Sequence, residues 1–141
     1  MNQPCRIRDC RREDCPAVLD LWRQAEAIPS GTDTLEDLQR LVEKSTGLFL
    51  VAEAEGRLVA TVIGGWDGWR GNIYRLAVPP EFRRRGIARS LVDEVERRLR
   101  AKGARRISAL VVKTEEHAMA FWEAAAYDHD QRMLRYVKTL A

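Results

Sequence analysis

Apolar residues along the chain follow two rhythms, and the places where one gives way to the other mark the elements. Helical spacing comes first at Val18, Leu19, Leu21, Trp22 and Ala25, with Asp14 placed to cap the helix and Pro16 in its first turn. The tract "AIPSGTDT" breaks it, and Thr34 then opens a second helix whose stripe is Leu35, Leu38, Leu41 and Val42. From residue 48 the texture changes to β-branched and aromatic residues punctuated by Glu55-Gly56 and Asp67-Gly68, dipeptides that join antiparallel strands. This predicts a meander over 48–54, 57–66 and 72–78, closed by Pro79 and Pro80, which cannot donate to a sheet ladder.

Helical spacing returns at Ile87, Leu91, Val95 and Leu99, joined by Ala88 and Val92, and Gly103 ends that helix. Its outer face sets Asp93 against Arg97, Glu94 against Arg98 and Glu96 against Arg100, acid first at i, i+4. "RRISALVV" at 105–112 reads as a central strand, "EEHAMAFWEAAAY" as a fourth helix, and "RMLRYVKTL" alternates as a last strand. With a first strand at 4–9 the order is β-α-α-β-β-β-α-β-α-β. That is an α/β chain with a mixed sheet, in which only the strand–helix–strand unit from 72 to 112 must cross over between parallel strands.

Composition narrows the class. The 141 residues, 45% hydrophobic and 32% charged, suit one domain spanning 1–141 with a core that needs no disulfide or structural metal. No apolar run reaches the roughly 18 residues of a membrane span and no signal-like segment opens the chain, so a cytoplasmic protein is expected. Cys5, Cys10 and Cys15 match neither a redox pair nor a zinc pattern and read as reduced thiols. His117 and His129 lack partners at metal-ligand spacing, so no metal is predicted.

Charge changes the picture more. Net charge is +3, yet Arg75 to Arg106 holds eleven Lys/Arg against four Asp/Glu. Three of those arginines, Arg83, Arg84 and Arg85, stand directly before Gly86, where the third helix begins. A helix start presents unpaired backbone N–H groups and about half a positive charge, and a glycine lets an anion approach the backbone closely. Strand end, loop, glycine and helix start thus coincide in a place suited to a pyrophosphate.

"RRRGIA", Arg83 to Ala88, matches the (Q/R)-x-x-G-x-(G/A) motif of the GCN5-related N-acetyltransferases (GNAT). "IYRLAVPPEF" resembles the strand and loop that precede it there, and "AFWEAAAY" resembles the family's A-x-x-F-Y-x-x-x-G-F segment. The resemblance covers nearly the whole chain. It implies a partly splayed sheet, acetyl-CoA as co-substrate, and direct transfer of the acetyl group to a primary amine in a ternary complex. It further implies that the strand holding Leu76, Ala77 and Val78 is bulged, with free backbone groups for the pantetheine arm. The amides from Arg84 through Arg85, Gly86 and Ile87 to Ala88 would hold the pyrophosphate, Arg83 and Arg89 would lend charge, and the Leu76 or Val78 amide would polarise the thioester carbonyl.

The sequence departs from the family pattern at the acid–base positions. Asn72 stands where many members have a base glutamate, Trp122 where a tyrosine often protonates the thiolate, and Glu115 where an asparagine contacts the cofactor. Tyr74, placed on one strand face with Asn72 and Leu76, is the nominee for a pocket-lining or proton-relaying group. Trp66 and Trp69 could wall an acceptor pocket or cap the sheet edge. Glu26, Asp33, Glu36, Asp37 and Glu43 face Arg40 alone, a negative segment that would favour a cationic amine; the alternative is a solvated helix face. The acceptor could be a small polyamine-like or aminoglycoside-like molecule, an amino acid, or a protein N-terminus or lysine, and the chain could act as a homodimer. Two other readings fit the arginines: a sensor that binds acetyl-CoA without turnover, and a basic module for nucleic acid or a membrane surface. For nucleic acid the interleaved acids and missing aromatics are unfavourable.

Overall fold

In the computed structural model, which describes residues 5–44 and 47–140, three antiparallel strands form the middle of a five-stranded sheet. In chain order the elements are β1 (Arg6–Asp9), α1 (Cys15–Gln24), α2 (Leu35–Lys44), β2 (Phe49–Ala54), β3 (Arg57–Trp66), β4 (Gly71–Ala77), α3 (Ile87–Lys102), β5 (Ile107–Ala109) and α4 (Glu116–Ala124). Sheet order equals chain order, all pairs are antiparallel except β4 with β5, and α3 is the crossover between those two. The expected α/β class and mixed sheet are present. The chain divides into two compact units, Met1–Ala109 with the whole sheet and Leu110–Ala141 with α4.

Turn chemistry sets the meander. Glu55 and Gly56 both have positive φ, 54° and 75°, as a tight turn matched to strand twist requires. Asp67 accepts hydrogen bonds from the Trp69 and Arg70 amides at 2.8 and 2.7 Å, which closes the β3–β4 turn. At the second helix Thr34 Oγ1 accepts from the Asp37 amide at 3.1 Å, the expected cap. Asp14 does not cap α1. Its carboxylate accepts from Arg8 at 2.7 Å and from the Arg11 amide at 2.8 Å instead, so it ties β1 to the helix entry and is held below the usual carboxylate range by Arg8.

Each face of β2 and β3 is covered. Phe49, Val51 and Ile63 pack with Val18, Leu21, Trp22 and Leu38 of α1 and α2. On the opposite face Gly64 and Gly71 let α3 settle close: a Cβ on Gly64 would stand 2.6 Å from Val95 Cγ2, and one on Gly71 2.9 Å from Leu99 Cδ1. Leu91, Val92, Val95 and Leu99 are fully buried there. Arg98 bonds Asp9, Glu94 and the Gly47 carbonyl, fastening α3 to the β1 and β2 end of the sheet.

Several expectations change. Leu35 is 42% exposed, so the α2 stripe rests on Leu38, Leu41 and Val42. Asp93 pairs with Arg89 rather than Arg97, while Glu94 takes both Arg97 and the expected Arg98. Strand β5 covers Ile107–Ala109 rather than 105–112, because its ladder with β4 ends at Ile73 and Ala109. Residues 132–140 form no strand. Met133, Leu134, Tyr136 and Val137 are exposed, and alternation alone makes no strand without a neighbour for the backbone groups. Residue 4 of the expected first strand lies outside the described residues.

Two outcomes are expected from this packing. Gly64→Ala should lower stability by ~1–3 kcal/mol through overpacking against Val95, read by urea denaturation. Glu94 is drawn down from 4.5 to about 2 by hydrogen bonds from Arg97 and Arg98. Since the folded value lies below the unfolded one, its stabilisation is complete above pH 4.5 and is lost as pH falls towards 2. Glu94→Gln should flatten that part of a stability–pH curve, by a small amount because the pair faces solvent.

Candidate active site

Midway along β4 the ladder to β3 slips: Ile63 lies opposite Tyr74 and Thr61 opposite Ala77, so β4 carries one residue more than its partner. The slip is centred on Arg75, whose φ of +49° is left-handed and costs a non-glycine residue ~1–2 kcal/mol. Neighbouring groups hold it there. The Thr61 hydroxyl, fully buried, accepts from Trp22 Nε1 at 2.9 Å and donates to the Arg75 carbonyl at 2.9 Å. The Arg75 guanidinium stands 4.9 Å from the Trp22 ring centroid and donates to both carboxylate oxygens of Asp33 at 2.9 and 2.7 Å. Asp33 belongs to the stretch between α1 and α2, which is thereby anchored to the bulge.

The extra residue re-phases the strand. Register places Asn72, Tyr74 and Ala77 on the face that meets α1, so Leu76 does not continue that face as strict alternation predicts. Tyr74 is 40% exposed, with its ring beside Gly65. On the other side the pairing with β5 stops at Ile73, and residues 74–78 pair with no strand there among the described residues. This is the splay that the family resemblance implies.

After Ala77 the chain makes a short 3-10 turn, Pro80–Phe82, and enters the arginine loop. Arg84 and Gly86 both take left-handed backbone, φ +62° and +80°, the alternation that gathers successive N–H groups into a concave nest. The amides of Arg84, Gly86, Ile87 and Ala88 donate to no group among the described residues. A Cβ on Gly86 would meet nothing within 4 Å, so the glycine is needed for its backbone angle and not for lack of room. Four amides without partners among the described residues, at and just before the start of a sixteen-residue helix, are the kind of donors an anion takes up.

The arginines themselves have separate tasks. Arg83 turns into the protein and donates to the Val78 carbonyl at 2.9 Å and the Ala25 carbonyl at 3.3 Å. Arg85 stands 5.2 Å from the ring of buried Phe82, which Arg57 also covers at 4.7 Å. Arg89 pairs with Asp93. Arg84 is exposed with no ion pair among the described residues, so it is the arginine best placed to meet a ligand. With Arg97 and Arg98 also paired, the third helix does not offer the continuous free basic face a polyanion would need.

In the second unit Glu115 occupies the position before α4 without capping it, 3.8 Å from His117 Nε2. Trp122 is buried, with its ring edge-on to Phe121 and Tyr127 at centroid distances of 5.3 and 4.8 Å. In the first unit Trp66 lies against Gly103 at the end of α3, whereas Trp69 is exposed under the Arg70 guanidinium. Among the described residues no group of His, Cys, Asp and Glu could hold a metal ion.

Comparison with known proteins decides the family. Residues 15–127 match the model of the acetyltransferase (GNAT) family. The chain belongs to that family. Membership brings acetyl-CoA as co-substrate and an amine as acyl acceptor. Solved structures of the same fold include the PaiA N-acetyltransferase of Thermoplasma acidophilum in complex with coenzyme A, at TM-score 0.77 and 19% identity over 87% of this chain and 89% of that one. Another is AAC(6')-Iy with a bisubstrate analogue, CoA-S-monomethyl-acetylneamine, at TM-score 0.78 and 19% identity over 98% and 100%. A third is the ribosomal-protein-S18-alanine N-acetyltransferase of Escherichia coli, at TM-score 0.72 and 19% identity over 91% and 80%. Within this GNAT domain what the sequence did not reveal is the link among Trp22, Asp33, Thr61 and Arg75. Their link spans some forty positions, and the only local signal is a threonine inside an otherwise apolar run.

The division of labour among the arginines is testable by two single changes. Arg83→Ala, which removes both carbonyl contacts, should cost ~1–3 kcal/mol of stability. Arg84→Ala should leave the melting temperature within a degree or so while weakening coenzyme A binding several-fold in calorimetry.

Proposed function

We propose that this chain transfers the acetyl group of acetyl-CoA to a primary amine by direct attack in a ternary complex, using one domain that spans residues 1–141. The observation that carries the proposal is the nest at Arg84–Ala88, whose amides at Arg84, Gly86, Ile87 and Ala88 have no partner among the described residues. In this assignment Arg84 to Ala88 hold the diphosphate, and Arg83 sets the loop. Arg85 and Arg89 add positive charge at its rim. The unpaired side of β4 at Leu76, Ala77 and Val78 takes the pantetheine arm as an added strand would. Glu115 and Trp122 are assigned to the cofactor on the family resemblance alone. The family match runs across both compact units, which supports treating them as one functional domain.

The chemistry asks little of side chains. A thioester is already electrophilic, so holding a neutral amine about 3 Å from the carbonyl carbon supplies much of the rate. The C–N bond forms, the C–S bond breaks, and the thiolate leaves. One amide N–H of the β4 edge, from Leu76 or Val78, stabilises negative charge on the carbonyl oxygen. The amine must lose a proton, and residues 72–80 contain no carboxylate to take it. Tyr74 is the exposed polar side chain on the face of β4 that meets α1, and its hydroxyl, able to donate and accept, is assigned to the proton path with water.

Acceptor charge is the finer question. Of the five acidic residues at 26–43, Asp33 is matched by Arg75, Glu36 and Asp37 by Arg40, and Glu43 by Arg12. Preference for a cationic amine therefore rests on Glu26, which has no such partner among the described residues. The relatives act on or are bound to amines as different as an acetylneamine analogue and a ribosomal-protein alanine, so a small amine and a protein N-terminus both belong in the panel. Three free thiols suit a reducing compartment, and we place the enzyme in the cytoplasm. A homodimer is compatible with the exposed apolar residues at 133–140.

The decisive experiment combines binding and turnover. Arg84→Glu with Gly86→Asp is expected to abolish acetyl-CoA binding by calorimetry while circular dichroism shows an unchanged fold. The unaltered protein should release free thiol from acetyl-CoA with at least one amine of the panel. Wild-type affinity in the double variant defeats the site assignment, and binding without thiol release for any amine defeats the transfer.

A further inference from the structure

The bulge in β4 is held by groups that lie outside any expected catalytic set. Thr61 is the buried polar residue of the core among those described, and its hydroxyl is fully used, accepting from the Trp22 indole and donating to the Arg75 carbonyl. Trp22 in turn lies under the Arg75 guanidinium, which Asp33 grips with both oxygens. A hydroxyl buried in an apolar face is unfavourable unless both its bonds are made, and here both are made to the same bulge and its support.

That placement has a geometric consequence. Arg75 is the residue at which β4 changes phase, Ile73 the last one paired to β5, and Leu76 to Val78 come immediately after. The carbonyl that Thr61 holds belongs to the peptide whose N–H is that of Leu76. Fixing the oxygen fixes the plane of that peptide, and so the direction of the Leu76 amide.

We propose that Trp22 and Thr61 are positioning residues for acetyl transfer: their hydrogen-bond relay locks the Arg75–Leu76 peptide and thereby aims the β4 edge at the acyl donor. This rests on the acetyltransferase reading above. It predicts a specific separation of effects, because the diphosphate nest at Arg84–Ala88 is built from other bonds.

The test uses Thr61→Val, which keeps the shape and removes the hydroxyl, Trp22→Phe, which keeps an aromatic ring and removes the indole donor, and Thr61→Ser as the conservative control. Both relay-breaking variants should bind coenzyme A within about threefold of wild type, while kcat falls tenfold or more. Thr61→Ser should recover to within about threefold. Amide chemical shifts and hydrogen exchange should change at residues 74–78, with α3 and the residue 84–88 nest unmoved. Those two readouts do not need turnover. If the unaltered protein acetylates no amine, the functional reading fails while the shifts and exchange still judge the relay. Should Thr61→Val fold poorly, Trp22→Phe carries the same comparison. Unchanged kcat and unchanged β4 amides in Trp22→Phe overturn the proposal, as does a loss of kcat in step with coenzyme A affinity, or a Thr61→Ser variant no better than Thr61→Val.

Discussion

Strand β4 cannot continue as a regular strand past Ile73, because Arg75 holds a backbone angle that a continuous ladder does not accommodate. The remainder of the site depends on that interruption. Up to Ile73 the strand is an ordinary interior member, paired on both sides and buried. Beyond it the β3 ladder resumes one residue out of phase and the β5 ladder does not resume. Backbone groups that would have been satisfied inside the sheet become available to something else. Two hydrogen bonds through Thr61, the Trp22 ring and the Asp33 carboxylate hold Arg75 in that conformation.

The helix start is delivered to the same end of β4 by a different set of constraints. Glycines at 64 and 71 allow α3 to lie close on β3 and β4, and its aliphatic stripe fixes its rotation. Arg98 fastens the far end of that helix to β1 and to the Gly47 carbonyl, two residues before β2. Between the bulge and α3 only the loop 78–86 remains, drawn in by Phe82 and by Arg83 on the Val78 carbonyl. The same carbonyl marks where the strand edge ends and the loop begins. One arginine therefore joins the end of the strand edge to the loop that leads into α3.

Much of this architecture was legible from local pattern. The meander, the four helices, the Thr34 cap, the tight turn at Glu55-Gly56 and the glycine at the nest each rest on residues within a few positions of one another. The long-range relations were not legible. Alternation placed Leu76 with Tyr74, and the bulge that separates them is stabilised by Trp22 and Asp33, 53 and 42 positions before Arg75. Alternation also made a strand of 132–140, a pattern that has no force where no neighbouring strand completes the ladder. Asp14 shows the same limit on a smaller scale. Its cap position was correct by spacing, but Arg8 on β1 competes for the carboxylate and wins, since a charge-assisted bond outweighs a single amide.

Three adjacent arginines are tolerable because their repulsion is small where water screens it. At ~7 Å two unit charges repel by about 0.6 kcal/mol in bulk water. In the fold the three do not remain equivalent: Arg83 is spent on carbonyls, Arg85 lies by an aromatic ring, and Arg84 is left at the surface. The left-handed turn at Arg84 has the larger consequence, because it rotates the backbone donors outward and sets the start of α3 behind them. The helix then contributes its dipole along the line on which an anion would sit. Charge near the nest is therefore an addition to a site already specified by backbone geometry, which is why Gly86 rather than any single arginine is the residue whose replacement the cradle can least absorb.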